Sequence, residues 1–250
     1  MNFVPPPPDC ALCSRLVAFR AANQEKFPGK HNAPVPSFGT MDARLLIVGL
    51  APGLKGANFT GRPFTGDYAG DLLYETLLKF GLARGSYDKR ADDGLALIDT
   101  RITNAVRCVP PENKPTTEEN NNCRPFLIEE MQAMPNLRVI LSLGLVSHNA
   151  VLKTLGHKIS AFKFGHGARH ELIMDECLNF GSSQGKQDKP RVSAQVLRAH
   201  GEAQLNDARE QKIITLVDSY HCSRYNTQTK RLTTDMFHDV FRDIQTFMNT

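Results

Sequence analysis

Phe64, Asp67, Asn104 and His221 are of the types that a site for one flat, polar ring requires. An aromatic face stacks on such a ring, and an asparagine amide reads a carbonyl and a neighbouring N–H through its paired donor and acceptor. A histidine steadies an oxyanion as charge develops. Phe64 and Asp67 lie in GLAPGLKGANFTGRPFTGD, Gly49 to Asp67, a glycine-rich loop that follows the apolar run Arg44-Leu-Leu-Ile-Val48. Its spacing matches neither G-x-G-x-x-G nor G-x-x-x-x-G-K-[ST], which removes most of the support for a nucleotide phosphate cradle. What remains is a basic pair, Lys55 and Arg62, together with Phe64 and Asp67, and that set suits a pocket for a flat ring. Each residue also has a plainer role: Phe64 as core, Asn104 as a partner for backbone groups, His221 as a turn cap. Taken jointly, on three loops expected at one sheet edge, the binding reading is the stronger.

A second chemistry lies in the cysteines. Of six, four form two pairs: Cys10-x-x-Cys13, and Cys108 with Cys123 at the ends of CVPPENKPTTEENNNC. In a reducing compartment such pairs read as a four-thiolate metal site rather than as disulfides. The wide gap between the pairs matches neither a zinc ribbon nor a ferredoxin run, so zinc and iron–sulfur both stand at this point. Ordinary buried thiols are the bland alternative, but Cys10 and Cys13 sit in a polar, proline-led terminus where burial needs a reason. Tying that terminus to a strand exit supplies one.

These residues need a scaffold, and the apolar pattern provides it. Short aliphatic runs at Arg44–Leu50, Ile102–Cys108, Arg138–Leu143 and Lys212–Ser219 read as buried strands. Helical patterns lie between and after them. Asp71–Phe80 stops at Gly81, Thr116-Thr-Glu-Glu119 forms a capping box for a helix to about Met131, and Leu145–Leu155 and Thr234–Met248 follow. Alternating strands and helices predict an α/β fold: a four-stranded parallel sheet covered on both faces, with ligands at the carboxyl ends of the strands. A chain of 250 residues, 41% hydrophobic, is expected to form one domain. Residues 175–211 are polar and glycine-rich and read as a surface insertion. Within them, Gly181-Ser-Ser-Gln-Gly185 matches a nucleophile elbow by accident, since no strand precedes it. The formal charge of +4 suits a nucleic-acid partner without requiring one. No apolar run approaches a membrane span and no signal region opens the chain, so a soluble, intracellular protein is expected.

Taken together, "GLAPG…GAN-TGRPFTGD", "TNAVRCVPP", the four cysteines and "SYH-S--NTQT--LT" resemble the uracil-DNA glycosylase superfamily, most closely its iron–sulfur-containing family 5, over Cys10 to Thr234. The resemblance implies a three-layer α/β/α fold around the four-stranded parallel sheet. It implies a DNA repair enzyme that flips a deaminated base, uracil and also hypoxanthine or xanthine, out of DNA and hydrolyses its N-glycosidic bond. By the same resemblance, Phe64 stacks on the extruded base, Asn104 contacts its polar edge, and His221 faces the carbonyl that gains charge. Gly49, Ala51, Pro52 and Gly53 belong to the substrate loop. Ala51 stands where other families carry a water-activating acid or amide, which leaves Asp67 as the nearest candidate for that work. The loop after His221, with Ser223, Arg224, Tyr225 and Asn226, is expected to grip phosphates or fill the vacated stack, and by the resemblance Cys10, Cys13, Cys108 and Cys123 match the ligands of a 4Fe-4S cluster. The implied protein is a monomer acting on damaged DNA, cytoplasmic in a bacterium, nuclear or mitochondrial in a eukaryote.

Three positions depart from the family pattern. Cys222 replaces a proline, Phe59 an arginine and Lys230 a glycine. They motivate a second reading, a weakened member that binds DNA without cutting it.

Overall fold

The computed structural model describes residues 3–174 and 212–248. The insertion expected at 175–211 lies outside the described residues. In chain order the strands are β1 (Leu45–Gly49), β2 (Ala83–Arg84), β3 (Ala96–Leu97), β4 (Thr100–Asn104), β5 (Val139–Leu143), β6 (Arg169–Met174) and β7 (Lys212–Ser219). The helices are α1 (Ser14–Lys26), α2 (Ala57–Thr60), α3 (Tyr68–Lys79), α4 (Thr117–Gln132), α5 (Leu145–Thr154), α6 (Arg224–Gln228) and α7 (Thr234–Met248).

The main sheet has the order β4-β1-β5-β7-β6, and β2 with β3 forms a separate antiparallel pair. β4, β1, β5 and β7 run parallel, as the alternation of elements predicts. A fifth strand, β6, pairs antiparallel with β7 on the edge. Its sequence, RHELIM, buries only Leu172 and Met174, so it lacks the continuous apolar run that marks the central strands.

Helices cover both faces. Leu45, Ile47, Ile102 and Leu141 share a cluster with Leu73 and Leu77 of α3 and Phe237, Phe241 and Ile244 of α7. Leu46, Val48 and Ile140 share the opposite cluster with Leu127 of α4 and Val151 and Leu152 of α5. The alternation along β1 follows from side chains pointing to opposite faces of a strand. Each fully buried Leu, Ile or Phe stabilises this arrangement by about 1.5–3 kcal/mol.

Local chemistry sets the element ends. Asp67 caps α3 by accepting the Gly70 N–H at 3.1 Å, so the helix begins before the expected Asp71. The capping box of α4 is present: Thr116 Oγ1 accepts from Glu119 N at 3.2 Å and Glu119 Oε2 accepts from Thr116 N at 2.7 Å. Glu119 also receives both Arg15 Nε and Nη2 at 2.7 Å, which ties α1 to α4. α1 itself was not anticipated, because its buried residues, Leu16, Arg20 and Asn23, do not form an apolar stripe. No helix among the described residues is long and apolar enough to cross a membrane.

Candidate functional site

The connection from β1 goes to one side of the sheet, towards β4, and that from β5 to the other, to β6 at the edge beside β7. A crevice opens at the carboxyl ends of adjacent strands whose connections diverge in this way. The loop after β1 enters it. Gly49 must lack a side chain there: a β-carbon would come within 2.6 Å of Phe64 Cζ and closer still to Asn104 Oδ1. The Phe64 and Asn104 side chains therefore meet above the end of β1. The Phe64 ring also lies 6.0 Å from the His221 ring, inclined by 32°. Gly144, which follows β5, completes this side, since a β-carbon on it would stand 3.5 Å from His221 Cβ.

Phe64 holds a left-handed backbone, φ 52°, a strained conformation for a non-glycine residue. Its carbonyl packs against the first turn of α3, where Gly70 leaves room that a side chain would fill. The brace for this conformation is Arg62, which sequence reasoning had grouped with the pocket's cations. Arg62 Nε donates to Thr65 Oγ1 at 2.7 Å, and its two terminal nitrogens donate to Asp93 at 2.7 Å each. Phe38, Tyr74 and Tyr87 surround the guanidinium at 5.1–5.8 Å. Buried and fully paired, Arg62 supports the loop. Asp93 carries no local motif, and only tertiary contact reveals its part.

Asp67 lies on the other side of the glycine loop. Its Oδ2 is 2.6 Å from the position of a β-carbon on Gly56 and 3.3 Å from one on Gly53. Burial raises its pKa above the usual carboxylate value, against the Gly70 and Ala69 N–H groups that lower it. Asp67 acts electrostatically on Cys222, the neighbour of His221. Burial pushes the His221 imidazole down to about 4, so the ring is neutral near pH 7. Among the described residues no protein group bonds its ring nitrogens, which leaves them free for a ligand.

Other expected substrate contacts take different positions. Ser223 Oγ caps α6 by accepting from Asn226 N at 3.4 Å, and Asn226 Nδ2 donates to the His221 carbonyl at 2.8 Å. Both shape the loop from within. Arg224 is exposed and lies over the Tyr68 ring at 5.3 Å, and Tyr225 is 71% exposed. Pro52 is buried. Ala51 packs beside Leu16, Val106 and the cysteines, between the glycine loop and the thiols.

A buried anchor that the sequence did not announce lies beneath the His221 loop. Asp218 accepts from Ser142 at 2.7 Å, from His148 Nδ1 at 2.8 Å and from His170 Nε2 at 3.3 Å. His148 Nε2 meets the Phe162 carbonyl at 3.1 Å, so both its nitrogens face acceptors, an arrangement that favours the protonated ring. Burial alone would lower its pKa, but the Asp218 carboxylate raises it.

The departures from the family pattern are absorbed by packing. Cys222 is fully buried in the core beside Phe64 and Leu232, and burial holds its thiol far above the ordinary value. The Phe59 ring lies 5.0 Å from that of Phe27, tilted by 58°, under Lys30. Lys230 keeps a left-handed turn at φ 57°.

Cys10, Cys13, Cys108 and Cys123 line one cavity with Leu16, Val106 and Phe126. Donors surround the sulfurs: Arg107 N at 3.3 Å from Cys123, Asn122 Nδ2 at 3.7 Å from Cys13, and Arg20 Nη1 at 3.9 Å from Cys108. The four thiols, the apolar wall and the donors to sulfur fit a thiolate-held iron–sulfur group.

Fold and site thus define a class: a three-layer α/β protein with Phe64, Asn104 and His221 gathered at the carboxyl ends of its strands and four cysteines around one cavity near its N-terminus. A family model described as the uracil DNA glycosylase superfamily matches residues 36–245. A type-5 uracil-DNA glycosylase of Thermus thermophilus is 37% identical over 243 residues, covering 94% of this chain and 91% of that one. One from Pyrobaculum aerophilum is 34% identical, covering 94% and 87%. A type-4 enzyme of the same archaeon is 38% identical over 125 residues, 50% of this chain and 56% of its own. The chain belongs to the uracil-DNA glycosylase superfamily, a family of N-glycosyl-bond hydrolases.

Proposed function

We propose that this chain is a monofunctional DNA glycosylase of base excision repair, which extrudes a deaminated base and hydrolyses its glycosidic bond to leave an abasic site. Uracil is the first substrate, as in the names of its relatives, with hypoxanthine and xanthine as further ones. The observation that carries this reading is the meeting of Phe64 and Asn104 over Gly49 with His221 alongside.

The chemistry follows from where charge develops. A base inside a duplex is unreachable, so extrusion comes first, at a cost of roughly a few kcal/mol. Stacking on Phe64 returns on the order of 1–3 kcal/mol. As the bond breaks, the sugar gains positive charge and the base negative charge. Neutral His221 donates a ring N–H to the base oxygen without giving up its proton, Asn104 holds the polar edge, and Asp67 offsets the cationic sugar and orients water. Cys10, Cys13, Cys108 and Cys123 would hold a 4Fe-4S cluster, which supplies a structural clamp between the N-terminus and the exit of β4. In this reading the chain is one domain with its insertion at 175–211, and a monomer acts on the damaged duplex.

Anaerobically purified protein is incubated with duplexes carrying uracil, hypoxanthine or xanthine, and abasic sites are revealed by alkaline cleavage. Release of uracil, reduced about 10²–10³-fold in His221→Ala, supports the reading. DNA binding without release of any of the three bases, at full iron and sulfide content, refutes it in favour of a binding protein.

A further inference from the structure

A second cavity, of about 210 Å³, opens between α4 and α5. It begins at Ala105, the residue after Asn104, on the opposite face of the sheet from Phe64. Its rim includes Val146, 46% exposed and two residues beyond Gly144, the neighbour of His221. Cavity and base crevice therefore share one edge of the molecule.

The lining has an unusual balance. Arg124 and Lys153 both contribute, no acidic side chain does, and among the described residues neither cation has a carboxylate partner. Arg124 is half-buried, with its one side-chain bond to Asn121 Oδ1 at 2.6 Å. Thr154 is 1% exposed, yet its Oγ1 has no partner, and the Oδ1 of Asn149 is also buried without one. A helical threonine ordinarily bonds the carbonyl one turn back. Both oxygens expose less than 1 Å², so they lie behind the cavity wall, and the charged groups on the wall are the two cations. The space is many times the ~10–15 Å³ that one water needs, room for a phosphate with its sugar.

We propose that this cavity is a second subsite, which takes one phosphorylated nucleotide unit, its phosphate held by Arg124 and Lys153. The proposal rests on the DNA-acting reading above. The unit comes from the strand carrying the extruded base or from a free mononucleotide, since both present the same chemistry.

The test uses the iron-loaded protein, a duplex with a stable abasic analogue, and dTMP as the free probe. Lys153→Gln should weaken duplex binding about 3–10-fold and reduce the slope of log K against log salt by about 0.9. Arg124→Gln should weaken it by a similar factor, with the same change of slope, without lowering Tm. A merely structural role would lower Tm instead. Iron content and the rate of uracil release at saturating duplex should stay unchanged in both. If only dTMP protection is lost, the subsite takes free nucleotide. Variants that match wild type in duplex affinity, salt slope and dTMP protection overturn the subsite while wild-type uracil release stands. A wild type that neither binds duplex nor releases uracil overturns the glycosylase reading, and dTMP protection then decides the cavity separately.

Discussion

The ring tip of Phe64 lies 2.6 Å from where a β-carbon on Gly49 would stand. The first strand of the sheet and the aromatic of its following loop touch through the absence of one carbon. This contact converts the carboxyl end of β1 into the floor of the site, and it makes the site sensitive to the smallest possible substitution.

Gly49→Ala should therefore lower uracil release by at least about 100-fold, by displacing Phe64 and Asn104 together. The stability cost should be about 1–3 kcal/mol, typical of overpacking. Single-turnover release measured beside urea unfolding separates the two effects. A variant with near-normal rate would mean that the two side chains do not act where they meet.

Asp93→Ala should destabilise the protein by about 3–5 kcal/mol, because the Arg62 charge would be left buried and unpaired. Burial alone would raise the Asp93 pKa, but Arg62 and two backbone N–H groups hold it well below the carboxylate range. Its contribution is therefore present above about pH 4, the unfolded value, and is lost as pH falls through the lower folded value. Chemical denaturation at pH 7 and pH 3 measures both the loss and its direction.

Base release should show no inflection near pH 6.5, the ordinary histidine range, since His221 titrates at about 4 and stays neutral above it. The acid limb should instead report Asp67, at an apparent pKa above 3.8. Asp67→Asn should slow release by about 10²–10⁴-fold and leave an acid limb set by His221 alone, near 4. Stability carries the same signature: between pH 6.5 and 4 the unfolded chain takes up the His221 proton and the folded protein does not, so stability falls as pH drops. His221→Gln should flatten that decline.

Lys230→Gly should stabilise the protein by about 0.5–1 kcal/mol. The side chain at 230 is exposed and its φ of 57° is one that L residues adopt at a cost. Relief of that strain exceeds the entropy that glycine loses on folding. Thermal unfolding of the two proteins provides the comparison, and a lower Tm in the glycine variant would contradict it.

Much of this protein was legible in its sequence because the signals are local. β7 coincides with the expected Lys212–Ser219, the α4 box forms at Thr116 and Glu119, and α7 spans Thr234–Met248 as its apolar spacing requires. Residue type was enough to single out Phe64, Asn104, His221 and the four cysteines. β4 begins two residues before the expected Ile102 and ends four before the expected Cys108, since the apolar run beyond Asn104 still donates to Gly49 and Leu50 while leaving the ladder.

Tertiary structure alone decided which charges brace the fold. Arg62 and Lys55 look alike in the chain, but a guanidinium is fixed by partners distant in sequence, and Asp93 lies 31 residues away. The same holds for His148, His170 and Asp218, and for the edge strand β6, whose pairing depends on β7 and not on its own composition. Periodicity encodes which face is buried, whereas electrostatic pairing depends on distances that exist only after the chain has folded.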